Sequence, residues 1–236
     1  DIDLDPNLPG RKVFDKAVIA PDTNDIADWF QGTPFSGVFD GKGHVIRHLT
    51  IKGAGYIGLF GQLGWAWNVR SRVANLAVVD VNITGSGDLV GGLAGSGRGI
   101  TACYTTGSVS GKNRVGGLVA LGSATDCYSM ATVSGTSDVG GLVGNLFGGL
   151  TRCYSAGSVR GAGSTIGGLV GNAWGSSHGH STLGSVTSCL WDVKASGQAT
   201  SAGGVGLTTA EMMDPNMLAL NGFANDPNWV VDAGRD

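Results

Sequence analysis

The sequence predicts an all-β protein, a right-handed parallel β-helix with irregular capping segments, and three observations predict it. The first is a repeat. The segments "CYTTGSVSG", "CYSMATVSG" and "CYSAGSVRG" each lead into "VGGLVA", "VGGLVG" or "IGGLVG", so Cys103, Cys127 and Cys153 recur at steps of 24 and 26 residues. The leucines of the "GGL" triplet, Leu93, Leu118, Leu142 and Leu169, recur at steps of 25, 24 and 27. That period is too long for a heptad and suits a solenoid, in which each unit buries its apolar face only against its neighbours. The second is glycine, 43 of 236 residues, more than twice ordinary usage and without the every-third-residue spacing of collagen. The third is a surface poor in charge: 14% of residues are charged and the formal net charge is -3. That balance offers no basic surface to nucleic acid and no basic tract to an anionic membrane, so the outside is left to Ser, Thr, Asn and Gly.

No stretch approaches 18 uninterrupted apolar residues, so no membrane-spanning helix is expected. With no initiator Met and no signal peptide, the chain reads as part of a longer polypeptide. One domain is expected over 1–236: an N-terminal strand and covering loop over 1–34, stacked coils over 35–207 and a C-terminal cap over 208–236.

Asp1 to Leu4 alternates as a short strand, stopped by Pro6 and Pro9. Asp1, Asp3 and Asp5 share one face of it, oxygen ligands of the kind Ca²⁺ takes; a solvated edge is the reading adopted. In the covering loop, Val18, Ile19, Ile26, Trp29 and Phe30 are assigned to the open end of the stack, where an unpaired edge needs blunting. "DGKG" at Asp40 to Gly43 is a turn signal, and beyond it the strand through Val45 and Ile51 changes parity or bends. His44 and His48 flank that stretch and read as turn or surface residues, lacking a third metal ligand.

Aligning "NLAVVDVNITG" with "TACYTTGSVSG" puts Ala77 at the cysteine phase and Ile83 in line with Val109, Val133 and Val159. Inward Ala/Cys and Val/Ile ladders follow, each buried CH₂ contributing about 0.8 kcal/mol. The glycine pairs 91/92, 116/117, 140/141 and 167/168 mark corners, where glycine accepts positive φ or lets backbone pass close to backbone. Cys103, Cys127 and Cys153 share one phase, and Cys189 opens the related "CLWDV" unit. With coils about 4.8 Å apart, they form a reduced internal column acting as small hydrophobes, with inter-coil disulfides as the alternative. Thr208 and Glu211 form a capping-box pattern before short helical turns at Ala210 to Met213 and Pro215 to Leu220, with Met212, Met217, Leu218, Phe223 and Trp229 folding back over the last coil.

For function, no catalytic residues are assigned. The carboxylates Asp22, Asp25, Asp28, Asp192, Glu211, Asp214 and Asp226 lie in termini or turns, and no spacing makes an acid and a base converge. The outward phases of successive repeats hold Ser108, Thr132 and Ser158, then Ser110, Ser134 and Arg160, mostly uncharged. His178 and His180, beside Trp174, are candidate transition-metal ligands, read instead as a polar bulge because no carboxylate or cysteine adjoins them. The outward feature that does repeat is aromatic. Tyr104, Tyr128 and Tyr154 follow their cysteines, with Leu190 and Trp191 near the same phase, and make a row read as mutual shielding or as a platform for sugar.

The residues also carry a family resemblance. The chain resembles GLUG-motif repeat proteins through "GLFG" at Gly58 to Gly61, "GLAG" at Gly92 to Gly95 and "GLVG" at Gly141 to Gly144 and Gly168 to Gly171, whereas Gly117 to Ala120 departs by ending in Ala120. The flanking "FSGVFDGKGHVIRHLTI" and "SGQATSAGGVGLTTAEMMD" extend the likeness over nearly the whole chain. The resemblance implies a parallel β-helix within large bacterial surface or secreted, adhesin-like polypeptides; the "HExxH" motif of a metallopeptidase domain found beside some such repeats is absent here. The expected function is a non-enzymatic extracellular stalk, spacer or adhesion module, without cofactor, whose partners are glycans or other cell-surface components. Candidate ligand-binding residues are Tyr104, Tyr128, Tyr154 and Trp191. A polysaccharide-acting lyase or glycoside hydrolase on the same fold is the alternative.

Overall fold

The computed structural model describes residues 1–24, 29–64, 71–173 and 184–223. These residues form twenty strands and three short helices. The chain is all-β in character, and its strands run parallel in two sheets, one of sixteen strands and one of four. Pairing follows the repeat: Tyr104 lies beside Tyr128 and Tyr128 beside Tyr154, while Val109, Val133 and Val159 align in turn. Ile51 and Ile83 continue the valine column toward the N-terminus. A second column joins Leu93, Leu118, Leu142 and Leu169, each N–H of the first three donating to the next leucine's carbonyl at 2.9–3.0 Å. The valine, isoleucine and leucine side chains of these columns are buried in one continuous core.

The alignment that gave Ala77 the cysteine place is corrected. Leu76 pairs with Cys103 and Ala77 with Tyr104, and a bulge between Val78 and Val81 restores the register so that Ile83 meets Val109. The strand Arg72–Gly85 accommodates one more residue than its partner there, and Asp80, at φ 54°, takes the bend. Gapless alignment has no means of seeing a bulge.

The glycine pairs serve close approach. None of the eight has positive φ. A Cβ on Gly117 would collide with Ser129 Oγ and Gly141 O, and one on Gly141 with Ser155 Oγ and Gly168 O. The left-handed corners fall instead on Asn75, Ala102, Asp126, Arg152 and Ser188, at φ 48–54°, each one residue before the cysteine phase. A second such series, Tyr56, Leu89, Arg114 and Asp138, precedes Ile57, Val90, Val115 and Val139. Left-handed backbone costs a non-glycine residue roughly 1–2 kcal/mol, so the stacking must offset that cost at every repeat.

At the N-terminal edge, Ile2–Asp3 pairs with Ile46–Arg47. Phe14, Ile19 and Phe35 bridge to Ile51, Phe60 and Leu63, so part of the covering loop does line the first repeat's edge. Val18 and Trp29 are exposed rather than covering it, and Ile26 lies outside the described residues. His48, at φ 57°, is the bend that separates Val38–Arg47 from Thr50–Gly53. At the C-terminus Val193–Ser196, Thr209–Met212 and Pro215–Leu220 are helical, the second with the full Thr208/Glu211 capping box. Met212, Met217, Leu218 and Phe223 pack with Leu190 and Leu207 against Tyr154; Trp229 lies outside the described residues.

Candidate functional site

Strand alternation turns the cysteines in and the tyrosines out. Cys103, Cys127, Cys153 and Cys189 are buried free thiols. The Cys103 N–H donates to Cys127 Sγ and the Cys153 N–H to Cys189 Sγ, both at 3.4 Å. Burial pushes the Cys127 thiol well up, as expected of a group with no water to stabilise its thiolate.

The tyrosines form one stack. Ring centroids of Tyr104 and Tyr128 are 4.6 Å apart with planes 5° from parallel; those of Tyr128 and Tyr154 are 4.8 Å apart at 1°. Burial is the first cause that raises both inner phenols, Tyr128 to about 12 and Tyr154 higher still. The same spacing consumes the ring faces. A sugar packs its C–H face on an aromatic face, and Tyr128 spends both of its faces on neighbours. Tyr154 has Leu190 next in the column. Tyr104 has only Ala77, and beside it lies a pocket of about 310 Å³ lined by Lys42, Gly43, Asn75, Leu76, Ala77, Ala102 and Tyr104. The row therefore offers one open face, at its Tyr104 end.

Trp191 is corrected from the outward row. It pairs with Ser155, the residue after the tyrosine, and is 7% exposed. Its indole fills the space left by Gly168 and Gly206, and its Nε1–H donates to the Gln198 carbonyl at 3.1 Å. Leu190 holds the outward phase, where the C-terminal cap buries it. In "CLWDV" the aromatic sits one residue later than in "CYS", and strand alternation turns it inward.

Asp25, Asp28 and Asp226 lie outside the described residues, and the other acidic candidates are engaged locally. Asp1 accepts from the Val45 N–H at 3.0 Å, Asp3 from the Asp5 N–H at 2.9 Å and Asp5 from Asn7 at 2.8–2.9 Å, so the three carboxylates do not converge. Asp3 Oδ1 also lies 2.8 Å from His48 Nδ1, which lowers the aspartate and raises the histidine. Asp192 and Asp214 cap helices, Glu211 completes its capping box, and Asp22 accepts from Thr23 and Gln31 N–H groups. Asp126 receives the Arg152 guanidinium in two bonds, 2.6 and 2.9 Å. Among the described residues no group of three His, Cys, Asp or Glu gathers as a metal set. His178 and His180 lie outside the described residues.

Sequence reasoning missed one site. Trp29, Phe30, Tyr56, Gln62, Ser96 and Leu121 line a pocket of about 300 Å³. Gln62, Ser96 and Leu121 are successive members of one column, but they sit in loosely repeating "GQL", "GSG" and "LGS" segments, and Trp29 is far away in sequence. Only Trp29 among the first 34 residues, a large aromatic in a polar stretch, signalled it.

Part of the chain is similar to halomucin of Haloquadratum walsbyi, 42% identical over 88 residues, which are 36% of this chain and 1% of halomucin. The chain thus spans a very small share of the curated relative it matches. No protein-family model matches the chain, and no solved structure matches it. Among the described residues no helix is long and apolar enough to cross a membrane.

Proposed function

We propose that this chain is a right-handed parallel β-helix of the GLUG-repeat kind, serving as a non-enzymatic stalk or spacer in a longer extracellular polypeptide. The observation that carries the reading is the residue-on-residue parallel pairing of successive repeats, with Tyr104, Tyr128 and Tyr154 in one column and Val109, Val133 and Val159 in another. Three series of left-handed residues support closure into coils: one through Asn75 to Ser188, one through Tyr56 to Asp138, and the bend at His48, Asp80 and Gly107. The first two series recur at one phase of successive repeats, as stacked coils require. The likeness to a short stretch of a very long protein, halomucin, supports a module within an extended chain.

Load-bearing by stacking needs no convergent chemistry, and the outward phases carry hydroxyls and tyrosine edges. A second reading, adhesion by carbohydrate contact, is favoured by the open face of Tyr104 above its 310 Å³ pocket. The test incubates the protein with a panel of soluble polysaccharides and follows both chain cleavage and binding. The stalk reading expects no cleavage. New reducing or unsaturated ends that scale with protein overturn it in favour of an enzyme. Binding that Tyr104→Ala abolishes, in a variant with wild-type circular dichroism, makes the module adhesive.

A further inference from the structure

The pocket walled by Trp29, Phe30 and Tyr56 carries an inference of its own. Its floor is one column, Gln62 beside Ser96 beside Leu121. The walls stand on this floor because Tyr56, at φ 51°, packs on the Leu89, Ala120 and Leu121 cluster, and Phe30 meets it edge to face at 5.4 Å and 62°. Trp29, next in chain to Phe30, is 66% exposed.

Two features point to a ligand. A large aromatic at such exposure loses apolar stabilisation to water that a partner would restore. Ser96, 1% exposed, and the half-buried Gln62 both line the pocket. Their hydroxyl and amide therefore sit where an occupant would lie, able to meet the hydrogen-bonding groups it brings.

The chemistry of the lining selects the class of occupant. Among the described residues no charged side chain lines the pocket, so none of them offsets the desolvation of an anion or a cation. An amide and a hydroxyl each donate and accept, which matches alcohol groups. Aromatic walls match an apolar face of C–H groups. A volume of about 300 Å³ is at the lower end for small-ligand pockets, enough for a sugar ring and too little for a folded partner's surface. We propose that this pocket binds a neutral sugar unit of a glycan, its C–H face against Trp29 and Phe30 and its hydroxyls on Gln62 and Ser96. The site is separate from the tyrosine column and does not rest on that column's touching sugar.

Saturation-transfer NMR on the intact chain tests this with neutral oligosaccharides of glucose, mannose, xylose and galactose as probes, and phenol as a neutral aromatic control. Trp29 is exposed, so Trp29→Ala leaves the core alone; Trp29→Phe keeps a ring, and Gln62→Ala removes only the amide. Thermal melting verifies that each variant folds. The expected result is transfer to the C–H protons of at least one sugar, weakened about tenfold by Trp29→Ala, less by Trp29→Phe and Gln62→Ala, and unchanged by Tyr104→Ala. The proposal is overturned by no transfer to any sugar at millimolar concentration. It is equally overturned by binding that survives Trp29→Ala and Gln62→Ala undiminished, by loss in Tyr104→Ala alone, or by saturable binding of phenol without sugar.

Discussion

Arg152→Ala removes the guanidinium that reaches from one repeat to Asp126 of the one before, and its cost can be worked from the geometry. The Asp126 carboxylate is 4% exposed and takes two charge-assisted bonds at 2.6 and 2.9 Å. Breaking a buried pair from one side costs about 3–5 kcal/mol, because a charge is left in a poor solvent. The Arg152 side chain is 29% exposed, so water can enter and the lower figure, about 3 kcal/mol, applies. For a chain of this size that lowers Tm by roughly 6–12 °C. Asp126→Asn in the same background restores part of the loss, since an amide costs less to bury and asparagine tolerates the φ of 54° that residue 126 adopts. Urea unfolding followed by circular dichroism, with a double-mutant cycle, measures the coupling. A loss below about 1 kcal/mol for Arg152→Ala, additive with Asp126→Asn, is the behaviour of a surface pair. It would refute the register that sets these two corners side by side.

Other consequences are smaller. The His48–Asp3 contact is present in full only between the ordinary aspartate value of 3.8 and the ordinary histidine value of 6.5. Raised in the fold, His48 loses its contribution as pH climbs from 6.5 through its folded value, and the lowered Asp3 loses its own as pH falls from 3.8 through its folded value; His48→Gln should lower stability evenly across that window and remove the fall above pH 6.5 and part of the fall below pH 3.8, which stability measured against pH checks. Ser155 Oγ is buried without a partner, whereas Thr105 Oγ1–H donates to the Gly117 carbonyl at 2.8 Å. Ser155→Ala is therefore neutral or stabilising by up to about 1 kcal/mol while Thr105→Val costs about 1 kcal/mol, and parallel melts that reverse this order would contradict the column in which Thr105, Ser129 and Ser155 pair in turn. Ultraviolet titration should find Tyr128 ionising near pH 12; because unfolded tyrosine ionises first, stability falls from about pH 10 upward. A thiol reagent should meet four unreactive cysteines in the native chain and four reactive ones in urea.

Period and core phases were legible because stacking forces equivalent residues into one column, and columns show in sequence as recurrence. Val109, Val133 and Val159, the leucines of "GGL" and the four cysteines all behave in this way. What was not legible depends on counting within a repeat. The bulge at Val79 and Asp80 moved Leu76 into the cysteine column, and the one-residue shift of the aromatic in "CLWDV" buried Trp191. Corner chemistry was hidden for a different reason. The glycine pairs left positive φ and close backbone approach both open; backbones that pass this closely need glycine for its missing Cβ, and the bends went to Asn, Asp, Ala, Arg and Ser.

In such a fold the regular columns explain stability and their exceptions locate chemistry. A column of identical side chains satisfies itself: tyrosine faces cover tyrosine faces, and nothing is left over for a ligand. Where the column breaks, a surface is released. Ala77 breaks the tyrosine series and opens the face of Tyr104; Leu190 breaks it at the other end, but the C-terminal cap takes up that opening. Leu121 stands between Ser96 and Asn145 in an otherwise polar column, and it is there that Tyr56 docks and the Trp29 pocket forms. Of the three breaks, the Leu190 end is closed by the chain itself and two remain open, each beside aromatic rings and polar groups. Substituting Leu121→Ser, which makes its column uniformly polar, should therefore loosen Tyr56 and abolish the Trp29 pocket while leaving the Tyr104 face intact, an outcome that chemical-shift changes confined to Tyr56, Phe30 and Trp29 would register.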